Sequence, residues 1–235
     1  MGLANRIASR LASVVCVAFP NLVKKGLSAG ADGKYRLTGN PIRPEISQGS
    51  QKEGFRITGF TRQGGPVLLV WGGSQGATEI NDMIEEDFEK FTQYFQIVHV
   101  TGAGKSIHKK SPRYVRFEYL DADLKHIYAI TDLVIGRAGA NSLYEIAYLK
   151  KPNIIIPLSN ADQLGNARYF KEMGASLVYK KEARRTPMLH RGKAGLFDLT
   201  LNLWQNQVLQ NEMRKSLSRI SANNASEAIA KLILN

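Results

Sequence analysis

Short apolar runs alternate with stretches of helical period along most of the chain. Val67 to Trp71, Gln96 to Thr101, Val115 to Tyr119, Leu133 to Ile135, Ile154 to Ile156 and Ser176 to Tyr179 read as strands. Leu133-Val134-Ile135 and Ile154-Ile155-Ile156 lack polar alternation, which suggests strands covered on both faces, as in a parallel sheet. Between the strands, Ala77 to Tyr94 reads as a helix with an acidic face and Asp123 to Ile130 as a second. Leu143, Ile146, Ala147 and Leu149 mark a third, with Asn141 or Ser142 as its N-cap. Leu199 to Asn235 reads as two or three more helices. Strands alternating with helices predict an α/β fold with a doubly wound parallel sheet.

The beginning is different. Leu3, Ile7 and Leu11 form one helical stripe, Val14 to Phe19 reads as a buried strand ended by Pro20, and Tyr35 to Thr38 as a second short strand. One helix and two strands cannot cover their own apolar faces, so residues 1–44 read as the tail of another domain. Glu45 to Gly65, rich in Gln, Gly and Ser, reads as a linker. Residues 66–198 then form the sheet domain and 199–235 a helical end, with Lys180 to Gly195 a basic loop.

Composition adds an anionic partner to this picture. The formal net charge is +12, which suits nucleic acid, acidic lipid or a phosphate-bearing ligand. No zinc-finger spacing, RNA-recognition signature or basic helix with heptads supports nucleic acid. The single cysteine, Cys16, lies in the run VVCVAF and reads as a core residue, and one cysteine fits a reducing compartment. No targeting signal is recognisable at the start and no apolar run reaches ~18 residues, so the expected location is cytoplasmic.

The chemistry-bearing residues cluster where strands end. Trp71-Gly72-Gly73-Ser74-Gln75-Gly76-Ala77 joins a strand to a helix, and such a glycine turn lets the backbone approach a phosphate at a helix N-terminus. It also fits a tight turn without a ligand. The pattern is not G-x-G-x-x-G and Thr101, not an acid, closes the second strand, which disfavours NAD. Thr101 to Ser106 resembles the end of a P-loop, but His99 stands where the first glycine belongs and Pro112 follows soon after. Asp121 and Asp123 could pair on a metal; the simpler reading makes Asp123 a helix cap. The four histidines lack metal spacing. Arg137, Asn141, Glu145, Asp162, Gln163 and Asn166 follow strands or open helices, where open α/β sheets bind ligands. Glu145 could hold ribose hydroxyls or be a solvated helix residue. Asp162 and Gln163 could meet sugar hydroxyls or be ordinary N-terminal residues.

GNPIRPEI, GGSQGA, RAGANSLYEIA, PL, ADQLGNA and GA, in this order and spacing, resemble the MurG family. That resemblance runs from about Gly2 to the end and is weakest over Lys180 to Leu199. It implies the C-terminal, donor-binding half of a GT-B glycosyltransferase. Such an enzyme passes N-acetylglucosamine (GlcNAc) from UDP-GlcNAc, with inversion, to the undecaprenyl-diphosphate-linked muramyl-pentapeptide of peptidoglycan, without metal or other cofactor. Arg43 and Ser74, with Gly73, Gln75 and Gly76 in the same turn, would face the diphosphate. The backbone at Leu120 would read uracil, and the turn of Gly139, Ala140 and Asn141 would approach the phosphates and sugar. Glu145 would bind ribose, and Gln163, with Asp162 beside it, the GlcNAc hydroxyls. The family's N-terminal domain, which supplies the acceptor site and the base, has no counterpart here. The catalytic base is therefore expected in a missing half, and the location at the inner face of an anionic membrane. A truncated enzyme and a two-subunit one both fit, as does a UDP-sugar-binding subunit with another lipid-linked acceptor. A basic nucleic-acid-binding module is the reading from another class.

Overall fold

The computed structural model describes residues 3–20, 34–72, 77–105, 107–159, 161–180, 195–221 and 224–234. Helix α1 (Leu3–Leu11) leads into a parallel pair, β1 (Val15–Val17) and β2 (Tyr35–Leu37). A 3-10 turn (Pro44–Ser47) and α2 (Gln51–Thr58) precede β3 (Val67–Trp71), α3 (Thr78–Glu86), α4 (Phe88–Tyr94), β4 (Gln96–Val100) and β5 (Tyr114–Phe117). There follow α5 (Leu124–Ile130), β6 (Leu133–Gly136), α6 (Ala140–Tyr148), β7 (Asn153–Ile155), α7 (Ala161–Glu172) and β8 (Leu177–Val178). Helices α8 (Leu196–Gln205), α9 (Gln207–Ser221) and α10 (Ala225–Leu234) end the described chain.

Six strands form one parallel sheet in the order β5-β4-β3-β6-β7-β8. The central strands are sealed on both faces: Leu68, Leu69, Val70, Ile97, Val98 and Ile135 are fully buried, as their uninterrupted apolar runs require. The chain winds outward from β3 through β4 to β5, then returns beside β3 to run through β6, β7 and β8. The order therefore reverses between β3 and β6, and the crevice outside their carboxyl ends is where such a sheet takes its ligand.

Several elements differ from the sequence reading. The segment 45–65 is a packed element rather than an open linker. Ser50 caps α2 by accepting from the Glu53 N–H, and Gly59 (φ 70°) closes it in the left-handed region. The glycines that suggested a linker serve close packing: a Cβ on Gly54 would stand 2.4 Å from the carbonyl oxygen of His126 in α5. The predicted helix 77–94 breaks at Asp87, and the break lets Ile80 and Ile84 as well as Phe88 and Phe91 reach the core. Helix α8 starts at Leu196, three residues before the predicted boundary, and Leu203, Met213 and Leu217 join the sheet domain's own core. Most of the predicted basic loop, residues 181–194, lies outside the described residues.

Cys16 is exposed, not buried. In β1 the side chains alternate, so Val17 turns inward and Cys16 outward. Farther on, Phe19 is buried and meets Tyr144, Tyr169 and Phe170 edge-on, while the Tyr144 hydroxyl donates to the Ala18 carbonyl. The opening segment is thus fastened to α6 and α7 at one end, yet Leu11, Ile7 and Leu37 stand 86%, 54% and 47% exposed at the other.

Candidate functional site

The segment after β2 crosses the carboxyl edge of the sheet domain. Asn40 donates to the Asn141 side-chain oxygen at 3.0 Å, so Asn141 is held by this strap and does not cap α6. Helix α6 starts instead from Gly139 without a side-chain cap, and among the described residues a Cβ built there meets only Ser142 Oγ, at 4.0 Å. That leaves the α6 N-terminus, with Gly139, Ala140 and Asn141, open to close approach.

Arg43 lies between two carboxylates. Its Nε donates to Glu145 Oε1 at 3.1 Å and its Nη1 to Asp121 Oδ1 at 3.2 Å. Glu145 is 5% exposed, and its other oxygen, Oε2, is buried without a hydrogen-bond partner. Burial pushes the Glu145 carboxyl above its usual range, and Arg43 offsets only part of that. The buried Tyr128 hydroxyl lies close enough to the same carboxylate to act on it as a weak donor, without meeting full hydrogen-bond geometry. A charged oxygen left without a donor in a buried site is costly. Beside this group, Arg43, Glu45, Ile46, Asp121, Ala122 and Lys125 line a cleft of about 220 Å³.

The other predicted residues divide. Leu120 is 8% exposed, in the turn after β5. Gln163 accepts from the Ala138 N–H at 3.2 Å and the Leu158 N–H at 3.1 Å, and Asn166 donates to the Ala138 carbonyl at 3.0 Å. Together they fix the backbone between β6 and α6, while Asp162 is exposed at the start of α7. Gly73, Ser74, Gln75 and Gly76 lie outside the described residues.

Asp121 binds Arg43, and Asp123, at the start of α5, makes no side-chain capping bond. Among the described residues no three His, Cys, Asp or Glu side chains gather as a metal site. The P-loop-like stretch is followed by irregular backbone at 107–111 and then by β5, not by a helix. His99 is instead fully buried between Asn81 Oδ1 at 3.0 Å and the Tyr114 hydroxyl at 3.1 Å, and burial, with Arg116 adding to it, lowers its pKa to about 3. Sequence reasoning missed the strap's contacts, because Asn40 and Arg43 lie about a hundred positions from their partners. It also missed the pairing of Arg137 with Glu79 at 2.9 Å.

Comparison with known proteins gives the family and the fold. Residues 67–231 fit the model of the glycosyltransferase family 28 C-terminal domain. A Lachnospira eligens protein is 42% identical over 187 residues, covering 77% of this chain and 51% of its own length. One from Clostridium kluyveri is 38% identical over 225 residues, covering 93% of this chain and 62% of its own length. Both are named UDP-N-acetylglucosamine–N-acetylmuramyl-(pentapeptide) pyrophosphoryl-undecaprenol N-acetylglucosamine transferase. This chain thus spans about half to three-fifths of these relatives. Among solved structures, MurG from Acinetobacter baumannii superposes with a TM-score of 0.64 at 20% identity, over all of this chain and 63% of that one. UDP-GlcNAc 2-epimerase from Neisseria meningitidis, bound to UDP-GlcNAc, also gives 0.64, at 14% identity over 98% of this chain and 63% of that one. These likenesses show the GT-B type of fold expected from sequence. The chain belongs to glycosyltransferase family 28, carrying its C-terminal domain.

Proposed function

We propose that this chain is the donor-binding half of an N-acetylglucosaminyl transferase that uses UDP-GlcNAc. The observation that carries the reading is the Arg43–Glu145 pair at the crevice where the sheet order reverses: a guanidinium for the diphosphate next to a buried carboxylate oxygen that lacks a donor. A ribose hydroxyl supplies that donor, and the nucleoside enters the cleft bordered by Arg43 and Asp121. Arg43, held in place by two carboxylates, serves the diphosphate as a pre-oriented hydrogen-bond donor. Asn141 and Gly139 open the α6 N-terminus to the phosphates and sugar.

The acceptor in the reaction is the one in the relatives' name, an N-acetylmuramyl-pentapeptide on pyrophosphoryl-undecaprenol. Its hydroxyl attacks C1 of GlcNAc, the C1–O bond to UDP breaks, and the configuration inverts. Helix N-termini and Arg43 stabilise the departing diphosphate without metal. The proton leaves to a base outside this sheet domain, in an acceptor-binding half that also covers Ile7, Leu11 and Leu37. The net charge of +12 favours an anionic membrane surface, where such an acceptor resides. No helix among the described residues is long and apolar enough to cross a membrane.

Competition calorimetry tests the reading. UDP-GlcNAc and UDP should bind the chain equally well with and without EDTA, and an oligonucleotide of equal charge should not displace them. Displacement by oligonucleotide, or donor binding that vanishes in EDTA, contradicts it.

A further inference from the structure

The crevice has two sides, and one ion pair joins them. Arg137, the first residue after β6, directs Nη1 to Glu79 Oε2 at 2.9 Å. Glu79 stands in the first turn of α3, the helix that follows β3. The same nitrogen donates to the carbonyl of Ile156, just past β7, at 3.0 Å. Arg137 is 7% exposed and its Nε has no partner, whereas the Glu79 side chain is 45% exposed.

Each partner needs the other for a different reason. A guanidinium this deeply buried requires a countercharge, and its Nη1 also ties the carboxyl ends of β6 and β7 together. Glu79 suits the positive end of α3, but there its charge opposes any anion brought to that end of the helix. An acidic residue is thus placed where an anionic ligand is to be received, and it is neutralised from across the crevice.

We propose that Arg137 is a positioning residue for the donor. Its pairing with Glu79 cancels the acidic charge on the α3 side of the crevice, so that a nucleoside diphosphate is admitted. The inference rests on the donor-binding reading above. It assigns Arg137 no contact with the ligand; its effect passes through Glu79.

Calorimetric titration of the chain with UDP, UMP and uridine tests this. Arg137→Met should weaken UDP about tenfold, the size of one uncompensated nearby charge in a partly exposed site. UMP should weaken less and uridine not at all. The double variant Arg137→Met/Glu79→Gln should recover UDP affinity to within about threefold of the unsubstituted chain, since the offending charge is gone. Glu79→Gln alone, whose amide oxygen still accepts from Arg137 Nη1 while its charge is gone, should tighten UDP and leave uridine unchanged; read together with its melting temperature, it keeps the test open should Arg137→Met fail to fold. A double variant that folds but binds UDP as weakly as Arg137→Met overturns the inference, as does Glu79→Gln that weakens UDP. If the unsubstituted chain binds no UDP, the donor reading falls and takes this inference with it. If it binds but Glu79 has no influence, only the inference falls.

Discussion

Removing the Glu145 carboxylate should abolish the chain's ability to sense a ribose hydroxyl, and this can be measured as a cycle between protein and ligand. Glu145 presents one oxygen to Arg43 and one, Oε2, to no donor. A hydrogen bond to a charged group contributes about 1.5–3 kcal/mol. Because Arg43 already draws on the same carboxylate, the lower half of that range applies, which is about a thirteen- to forty-fivefold change in affinity. Calorimetry with UDP and its 2′-deoxy and 3′-deoxy analogues on the unsubstituted chain should show a loss of that size for at least one analogue. On Glu145→Ala the same analogue should bind as well as UDP, because the partner of the missing hydroxyl has gone. Both losses are then one interaction counted twice, and the coupling isolates it from any general loosening of the site. If the deoxy penalty persists undiminished in Glu145→Ala, Glu145 does not hold the ribose and Oε2 has another purpose.

Three further outcomes follow from the same geometry. Burial raises the Glu145 carboxyl above its ordinary value of 4.5, so its stabilising contribution is full below that value and is lost as pH rises through the raised one. Glu145→Gln should therefore gain in melting temperature relative to the unsubstituted chain as pH rises above 4.5; a difference that does not change with pH contradicts the shift. Gly54→Ala should destabilise by about 1–3 kcal/mol in urea titration, because its Cβ would meet the His126 carbonyl oxygen at 2.4 Å; a neutral result would mean that α2 is loosely seated. Gln163→Met should weaken UDP-GlcNAc more than UDP, since it releases the Ala138 and Leu158 N–H groups and loosens the turn that receives the sugar; equal weakening of both ligands contradicts that.

The sheet was legible because its strands are buried on both faces. Leu133 to Ile135 and Ile154 to Ile156 lack polar alternation for that reason, and the positions after them inherit the sheet's ligand-binding edge. Glu145 was legible as a candidate, although its solvated reading failed: it is 5% exposed, and only tertiary packing could decide that. The strap's contacts were not legible, since Arg43 meets Glu145 across 102 positions and no local period records such a pairing. Gly54 misled in the opposite direction. Glycine means flexibility in a linker and close backbone approach in a packed helix, and composition does not distinguish the two. Cys16 failed through phase: in a three-residue strand, apolar neighbours do not reveal which side faces inward.

The central claim is that this chain carries the donor side of the transfer and needs a second half for the chemistry. Binding the donor alone does not accelerate the step, because the acceptor hydroxyl must be held against C1. The direct measurement is an assay with radiolabelled UDP-GlcNAc and the lipid-pyrophosphoryl acceptor. It is run on the chain alone and on the chain supplied with an acceptor-binding half from a relative. The account predicts no product above background from the chain alone and turnover once the second half is added. Rapid transfer by the lone chain would contradict it.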